Sequence, residues 1–410
     1  MGVRWCHYRF CTNTPTRTCL SCLGLSSAGK PKRVSDKEDL CGERGKSTRA
    51  PGLTIACVVR FGRLAAAERD VRQFVDPVVK CRANVKNTIL AISAASIFIV
   101  PLAVRGQRAE AVPEGTFSIV ARDPETGQLG MGVQSKALAT GSRTMTIKGG
   151  VAAIAHQSQA NPMYGSLGLE LLTAGMSPQQ ALELMLRSDE GRETRQVAII
   201  DATGRTAAWT GSGAEAWKGH QCGRDYCAQG NILTGPEVVQ AIVKSFEGST
   251  GLLAERILAA LDAGQAAGGD ARGTQAAALV VAKPLGGSAG FGDRVVDLRV
   301  DDHRAPLVEL RRLLNLFRSR QFVAEANARL EEKNLAAAAR AASAARDASP
   351  ENDEAWVVFA ATELSAGRPE SALDALRRAV DLNPANKRQL PKNRALERLF
   401  TDPEFKKLIE

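Results

Sequence analysis

Polar side chains interrupt several apolar or glycine-rich stretches of this sequence, and these residues are the best candidates for contacts with a ligand. Carboxamides both donate and accept hydrogen bonds, so they suit an oxyanion or an amide substrate. Asp270 and Arg272 either contact the same ligand or lock a loop through a charge-assisted hydrogen bond. The side chains predicted to bind substrate are Ser135, Gln159, Asn161, Gln229, Asn231, Asp270, Arg272 and Gln275.

Motifs for phosphate or metal chemistry are weak in this chain. No Gly-Lys-Ser/Thr follows a glycine-rich loop and there is no His-Glu-x-x-His, so neither a P-loop nor a zincin site is predicted. Cys19 and Cys22 have zinc-knuckle spacing without a second pair at zinc-finger distance. Cys222 and Cys227 could bind a metal with His220, but a disulfide that closes their loop is the preferred interpretation. We predict no metal site and no cofactor.

The net charge of +10 and the nine cysteines describe mainly the N-terminal part of the chain. Residues 1–86 hold 17 basic and 7 acidic side chains, and seven of the nine cysteines lie before residue 82. From Val112 onward there are 35 basic and 36 acidic residues and two cysteines. This near-neutral balance predicts no nucleic-acid partner.

Residues 85–111 have the layout of a secretory signal peptide. A basic start precedes the apolar run Thr88–Val104, and Ala109–Ala111 offers a small-x-small cleavage site. The run is slightly short for a membrane-spanning helix and contains Pro101, so a stable membrane anchor is not expected. We predict an exported protein, periplasmic or extracellular.

A signal peptide belongs at an N-terminus, whereas this one begins at residue 85. We therefore expect residues 1–84 to be an unstructured or mis-assigned upstream extension, with translation starting near Val79 or Val85. The expected mature chain begins at Val112.

Residues 112–318 are predicted to alternate strands in hairpins with paired helices. In the first strand, Thr116 and Ser118 share one face and Phe117 lies on the other. This order of elements favours an antiparallel α+β sandwich over repeated βαβ units. The predicted strands are 116–123, 129–136, 144–157, 197–201, 206–210, 274–282 and 295–300, and the predicted helices are 165–174, 178–186, 236–246 and 252–263.

Six successive blocks of this region resemble the signatures of one family, the domain of unknown function 1028, whose members are commonly described as uncharacterised Ntn-hydrolase superfamily proteins. The blocks are GTFSIVARDPETGQLGMGVQSK, QANPMYGSLGLELLTAG, RQVAIIDATGRTAAWTG, AQGNIL, AGQAAGGDARGTQAAALVV and DLRVDDHRAPLVELRRLL. The resemblance implies an α+β fold with four layers, an αββα Ntn-hydrolase-like sandwich. It implies no established substrate.

In such hydrolases the first residue acts twice: its side chain attacks a carbonyl, and its free α-amine, with a pKa of about 8, takes the proton. The resemblance suggests Thr116 for this role, because it opens the first strand, and Gly115-Thr116 resembles the self-processing junction of proteasome β-subunits. Signal cleavage after Ala111 leaves Thr116 amide-bonded, so a second cut must free it. A threonine that merely initiates a strand is the alternative.

Ser118 is the alternative nucleophile, and Lys136 and Lys148 are the candidate activating groups, against a simpler role as solvated lysines. Adjacent strand residues face opposite sides, so Lys136 is poorly placed to deprotonate Ser135. Either lysine could still reach a hydroxyl on a neighbouring strand. Where the proteasome pattern has an acidic residue before the serine of its second strand, this chain has Gln134. The predicted catalytic residues are Thr116, Ser118, Lys136 and Lys148.

Residues 319–410 show a 34-residue period with small residues at fixed offsets, which is typical of tetratricopeptide repeats. We predict an all-α segment of two repeats, 319–352 and 353–386, and an amphipathic helix over 391–409. The first repeat has Lys333 where the second has Gly367. Two repeats bury little surface alone, so docking on the preceding domain or homo-oligomerisation would complete them.

The sequence thus favours an exported Ntn-type hydrolase that cleaves an amide bond of an unknown substrate. The alternative is a non-catalytic ligand-binding or scaffold protein that keeps the fold and uses its helical repeats for protein–protein interaction. The expected partners are a small amide-type ligand or peptide and a protein bound by the repeats.

Overall fold

A computed structural model describes residues 115–410 of the chain. The predictions for residues 1–84, for the signal peptide at 85–111 and for the start at Val112 lie outside the described residues. Within residues 115–410, no helix is both long and apolar enough to cross a membrane.

Within residues 115–410, ten strands form two antiparallel sheets. The strands are β1 (Thr116–Arg122), β2 (Leu129–Ser135), β3 (Met145–Lys148), β4 (Ala152–Ser158), β5 (Arg195–Asp201), β6 (Thr206–Thr210), β7 (Gly219–Gly223), β8 (Tyr226–Asn231), β9 (Ala276–Ala282) and β10 (Arg294–Val300). One sheet has six strands in the order β10-β9-β2-β1-β8-β7, and the other has four in the order β3-β4-β5-β6. The predicted antiparallel α+β fold is confirmed, with β1 at the centre of the larger sheet.

In residues 115–410, a short helix follows β2, helix pairs follow β4 and β8, and the remaining helices follow β10. They are α1 (Thr140–Thr144), α2 (Met163–Thr173), α3 (Pro178–Ser188), α4 (Glu237–Gly248), α5 (Leu253–Ala266), α6 (Pro306–Glu331), α7 (Leu335–Ala348), α8 (Asp353–Ser365), α9 (Pro369–Leu382), α10 (Asn386–Gln389) and α11 (Pro403–Ile409). The start of α3 follows from its sequence, because Ser177 and Gln180 form a reciprocal capping box.

Three apolar clusters hold the α+β part together. Phe117 and Ile119 of β1 face α4 and α5, whereas Val120 faces the gap between the two sheets together with Ile200 of β5. On its other side the four-stranded sheet packs against α2 and α3. The alternation predicted for β1 is therefore correct, and it turns Thr116 and Ser118 towards the gap between the sheets.

The C-terminal part is helical, as predicted. Helix α6 crosses the predicted boundary between residues 318 and 319 without a break. Its first half packs against the six-stranded sheet through Leu310 and Leu314, and its second half packs against α7 and α8 through Ala326. One helix therefore belongs to both parts of the molecule.

The predicted helix over 391–409 is wrong. The chain makes short 3₁₀ turns at Leu390–Lys392 and Arg394–Leu399 before α11 starts at Pro403. Asn393 and Asp402 each cap the following turn with a side-chain oxygen, so the backbone restarts twice. Pro403 cannot donate the hydrogen bond of an uninterrupted helix and instead occupies the first position of α11.

Cys222 and Cys227 form a disulfide across the β7–β8 hairpin, as predicted. Their thiolates are therefore not available as metal ligands beside His220. Within residues 115–410, no group of three or more His, Cys, Asp or Glu side chains could hold a metal ion.

Candidate active site around Thr116

Thr116 lies at the first position of β1, paired with Ser135 of β2 on one side and Asn231 of β8 on the other. All three side chains lie on the sheet face that looks across the gap towards the four-stranded sheet, since directly paired residues share a face. Thr116 is 1% exposed and Ser135 is fully buried. The two predicted hydroxyls are thus brought together at one end of the sheets.

A chain of two hydrogen bonds links Thr116 to the peptide group that precedes it. The Oγ1 of Thr116 donates to the Oγ of Ser135 over 3.0 Å. The Oγ of Ser135 in turn donates to the carbonyl oxygen of Gly115 over 2.5 Å. The Thr116 hydroxyl, the Ser135 hydroxyl and the Gly115 carbonyl are therefore linked by consecutive hydrogen bonds.

Arg272 holds the same carbonyl from a second direction. Its Nη2 donates to the oxygen of Gly115 over 2.9 Å. The Gly115 carbonyl thus accepts one charged and one neutral hydrogen bond, the arrangement that stabilises negative charge on an oxygen. The predicted charge-assisted pair of Asp270 and Arg272 is present, and it reaches the peptide bond before Thr116.

Asp270 fixes the guanidinium in place. Its carboxylate accepts from Nε of Arg272 over 3.1 Å and from Nη2 over 2.8 Å. It also accepts the backbone N–H groups of Arg272 at 2.9 Å and Lys136 at 3.0 Å. The carboxylate side chain is 0% exposed, so four donors compensate its burial.

A buried carboxamide network continues from Thr116 into the gap between the sheets. Gln157 of β4 donates from Nε2 to the backbone oxygen of Thr116 over 2.9 Å and to Oε1 of Gln196 over 2.8 Å. Gln157 also accepts from the Oγ of Ser118 over 2.6 Å. Gln229 donates to the backbone oxygen of Ala155 over 3.3 Å. Three glutamines on three strands therefore hold the two sheets in register at this end.

Gln157 and Gln196 were not among the predicted site residues. Each is a buried carboxamide beside an apolar run, in AAIAHQS of β4 and RQVAIID of β5. That was the same signal that singled out Gln229, and it could have identified both. Ser118, the alternative nucleophile, lies in this network; the residue is buried, and its hydroxyl donates to Gln157.

The two predicted lysines lie outside the Thr116 cluster. Lys136 is exposed, and its Nζ donates to the backbone oxygen of Thr274 over 3.4 Å. Lys148 pairs with Ala152 at the opposite end of β4 from Gln157. In the part of the chain from 115 to 410, neither ammonium group is hydrogen-bonded to Thr116, Ser118 or Ser135.

Gln159 and Asn161 lie in the loop between β4 and α2, where they stabilise a second ion pair. Arg195 donates from Nη1 to the backbone oxygen of Gln159 over 2.6 Å and from Nε to Asp189 over 2.9 Å. Asn161 accepts the backbone N–H of Met163 over 3.0 Å through Oδ1. The hydrogen bond from Arg195 holds the pKa of Asp189 below its usual value. The backbone carbonyl of Gln159 and the side chain of Asn161 therefore help to order this loop.

Gln275 connects the buried cluster to an open depression of about 510 Å³. Its backbone N–H donates to the oxygen of Ser135 over 3.0 Å, and its side chain donates to Asp302 over 3.1 Å. Lys136, Thr274 and His303 line the same depression. Gln275, predicted to bind substrate, and Lys136, predicted to be catalytic, thus line this depression beside the end of β2.

His156 lies neither in the cluster around Thr116 nor in the loop ordered by Arg195. Its ring lies on the helix side of the four-stranded sheet, with Nε2 3.2 Å from Oγ1 of Thr146, and burial lowers its pKa to about 4. It is therefore a neutral core residue at physiological pH.

The part of the chain that matches a known protein family contains Thr116 and the residues around it. Residues 116–310 match the model of DUF1028, a family of unknown function. Among solved structures, the crystal structure of protein SPO2555 from Silicibacter pomeroyi, described as DUF1028, is similar, with 33% sequence identity and a TM-score of 0.45 over 49% of this chain and 84% of that chain. No curated protein matches this chain. Through residues 116–310, the chain therefore belongs to the DUF1028 family of unknown function.

Proposed function

We propose that this protein is an exported Ntn-type hydrolase, with Thr116 as the nucleophile once the bond between Gly115 and Thr116 is cut. The observation that carries the proposal is the Gly115 carbonyl, held by Arg272 over 2.9 Å and Ser135 over 2.5 Å beside the Thr116 hydroxyl. Two donors on a backbone carbonyl next to a hydroxyl suit acyl transfer.

The hydrogen bonds favour a self-cleavage step. The Oγ of Thr116 bonds to the carbonyl carbon of Gly115, its proton passes to Ser135, and the Ser135 proton passes to the Gly115 oxygen. Collapse of this tetrahedral group returns the proton to the amide nitrogen and breaks the carbon–nitrogen bond. Gly115 then remains as an ester on Thr116, and water hydrolyses the ester to leave a free carboxylic acid, the hydroxyl and the α-amine.

The freed residue would carry out the same chemistry on a substrate amide. Its α-amine, with a pKa of about 8, takes the hydroxyl proton and gives it to the leaving amine. Arg272 and Ser135 then stabilise the oxyanion of the substrate carbonyl. In this site the carboxylate is that of Asp270. Gln134, which stands where the proteasome pattern has an acidic residue, pairs with Phe117 and therefore lies on the helix side of β2.

The architecture supports this proposal. Two antiparallel sheets pack face to face with a helix pair outside each, as expected for an Ntn-hydrolase-like αββα sandwich. The helices α6–α9 support a tetratricopeptide-like segment, since alanines at equivalent positions of the 34-residue period are 0% exposed at the helix contacts. These alanines are Ala326 and Ala360, Ala338 and Ala372, and Ala345 and Ala379.

The mature N-terminus tests the proposal. Intact-mass measurement and N-terminal sequencing of the exported protein should find a chain that starts at Thr116. Thr116→Ala should remain uncut at this bond, whereas Thr116→Ser should be cut. Ser118→Ala is the matched control, since it removes a neighbouring buried hydroxyl and should still be cut. A wild-type chain that begins at Val112 would rule out the mechanism.

A scaffold protein without catalysis is the second candidate, because Thr116 is 1% exposed and its hydroxyl is already hydrogen-bonded within the fold. In that case the amide network would serve a bound small molecule and the helices a protein partner. Native mass spectrometry that finds an uncut protein with a tightly bound small molecule would favour this candidate.

A further inference from the structure

The carboxylate of Asp270 fills the space beside the α-carbon of Gly115. A β-carbon placed on Gly115 would lie 2.7 Å from Oδ1, 2.8 Å from Oδ2 and 2.9 Å from Cγ of Asp270. These separations are shorter than van der Waals contact allows, so a side chain at this position requires the carboxylate to move.

Asp270 is poorly able to move. Its side chain is 0% exposed and accepts four hydrogen bonds, from the backbone of Lys136 and from the backbone, Nε and Nη2 of Arg272. Displacement would break the charge-assisted pair that positions Arg272 on the Gly115 carbonyl. Asp270 therefore both occupies the space of a β-carbon on Gly115 and positions Arg272 on the Gly115 carbonyl.

During self-cleavage, Gly115 is the acyl group carried by the Thr116 oxygen. A substrate acyl group on the same oxygen, with its carbonyl on Arg272 and Ser135, places its own α-carbon where that of Gly115 lies. We propose, on the basis of the proposed hydrolase function, that Asp270 excludes a side chain of L configuration from the α-carbon of the acyl half of the substrate. The substrates are then glycyl-type amides, such as N-acylglycyl amides, and L-alanyl or larger L-aminoacyl groups are excluded.

The reaction on such a substrate is an ordinary two-step hydrolysis. The Thr116 oxygen bonds to the glycyl carbonyl carbon, the amide carbon–nitrogen bond breaks, and the amine leaves with the proton held by the Thr116 α-amine. Water then cleaves the glycyl ester, which restores the Thr116 hydroxyl and releases the N-acylglycine. Water is the only co-reactant.

The test uses the mature protein isolated after export and three fluorogenic anilides, N-acetylglycyl, N-acetylalanyl and N-acetylvalyl. The glycyl substrate should exceed the alanyl one in kcat/KM by at least about tenfold, and the valyl one should be slower still. Asp270→Ala removes the carboxylate and should bring the glycyl-to-alanyl ratio towards one, even if both rates fall. Asp270→Asn keeps the size of the side chain and should keep the preference.

The outcomes separate the two proposals. Hydrolysis of all three anilides at rates within about threefold of one another, a range of about 0.7 kcal/mol at 1.4 kcal/mol per factor of ten, would overturn the restriction and leave the hydrolase function standing. An uncut protein that hydrolyses none of them would overturn both. If the Asp270→Ala protein does not fold, the three substrates on the unaltered protein still decide the question.

Discussion

Comparing Arg272→Ala with Arg195→Ala should separate an effect on the cut before Thr116 from an effect on stability. Arg272→Ala removes one of the two donors to the Gly115 carbonyl, the one at 2.9 Å, and leaves Ser135 as the other. Loss of a single donor of this kind lowers the rate of an acyl-transfer step by about 10²–10³-fold. We therefore expect the cut before Thr116 to slow by that factor.

The same substitution also destabilises the fold, because Asp270 keeps only its two backbone donors. Breaking a buried ion pair costs about 3–5 kcal/mol, and the 27% exposure of the Arg272 side chain reduces this to about 2–3 kcal/mol. A fall in stability alone would therefore not be informative about cleavage.

Arg195→Ala is the matched control. Arg195 also forms an ion pair with a buried carboxylate, Asp189, and also donates to a backbone carbonyl, that of Gln159. It should lose stability to a similar extent while the cut before Thr116 proceeds at the wild-type rate.

The assay is a time course of the full chain made by cell-free translation, followed by intact mass, with urea unfolding of the purified proteins alongside. If Arg272→Ala is cut as fast as Arg195→Ala, the Gly115 carbonyl does not need the guanidinium and the role proposed for Arg272 in self-cleavage is wrong.

Two further predictions concern the rest of the fold. Because the hydrogen bond from Arg195 lowers the folded-state pKa of Asp189, its contribution to stability is present above the unfolded pKa of about 3.9 and is lost as the pH falls through the folded value. Asp189→Asn should therefore lower Tm near pH 7 and narrow its difference from wild type in acid, and an equal difference at both ends of a pH series of melting curves would contradict this. Replacing Cys222 and Cys227 together by serine should cost about 2 kcal/mol, the entropy of a short closed loop, in urea unfolding without reductant. The wild type should show the same loss when reductant is added, and an unchanged midpoint would contradict the expected contribution.

Local pattern was sufficient to predict most of the strands and helices of residues 115–310. The alternation in β1 gave the correct face for Thr116 and Ser118, and Asp270 with Arg272 stood out as opposite charges in a glycine-rich loop. The β7–β8 hairpin was missed, because Gly219, His220 and Gln221 carry no apolar alternation and β7 is an exposed edge strand.

What the sequence could not supply was the pairing of elements far apart in the chain. Gln157 contacts Thr116 across the gap between two sheets, 41 positions away, and no local pattern specifies that contact. The sequence does not distinguish Lys148 from Lys136 as a candidate activating group. The register of β3 and β4 does, because it places Lys148 at the other end of the sheet. The prediction of one helix over 391–409 was wrong for a local reason: it followed the apolar spacing, whereas Asn393 and Asp402 each cap a new, separate turn.

Helix α6 has a mechanical consequence. Its 26 residues make a rod of about 39 Å, anchored in the sheet by Leu310 and Leu314 and in the helical segment by Ala326. Because α6 is continuous and packs at both ends, a force applied to the C-terminal helices would be transmitted to the sheet that carries Thr116.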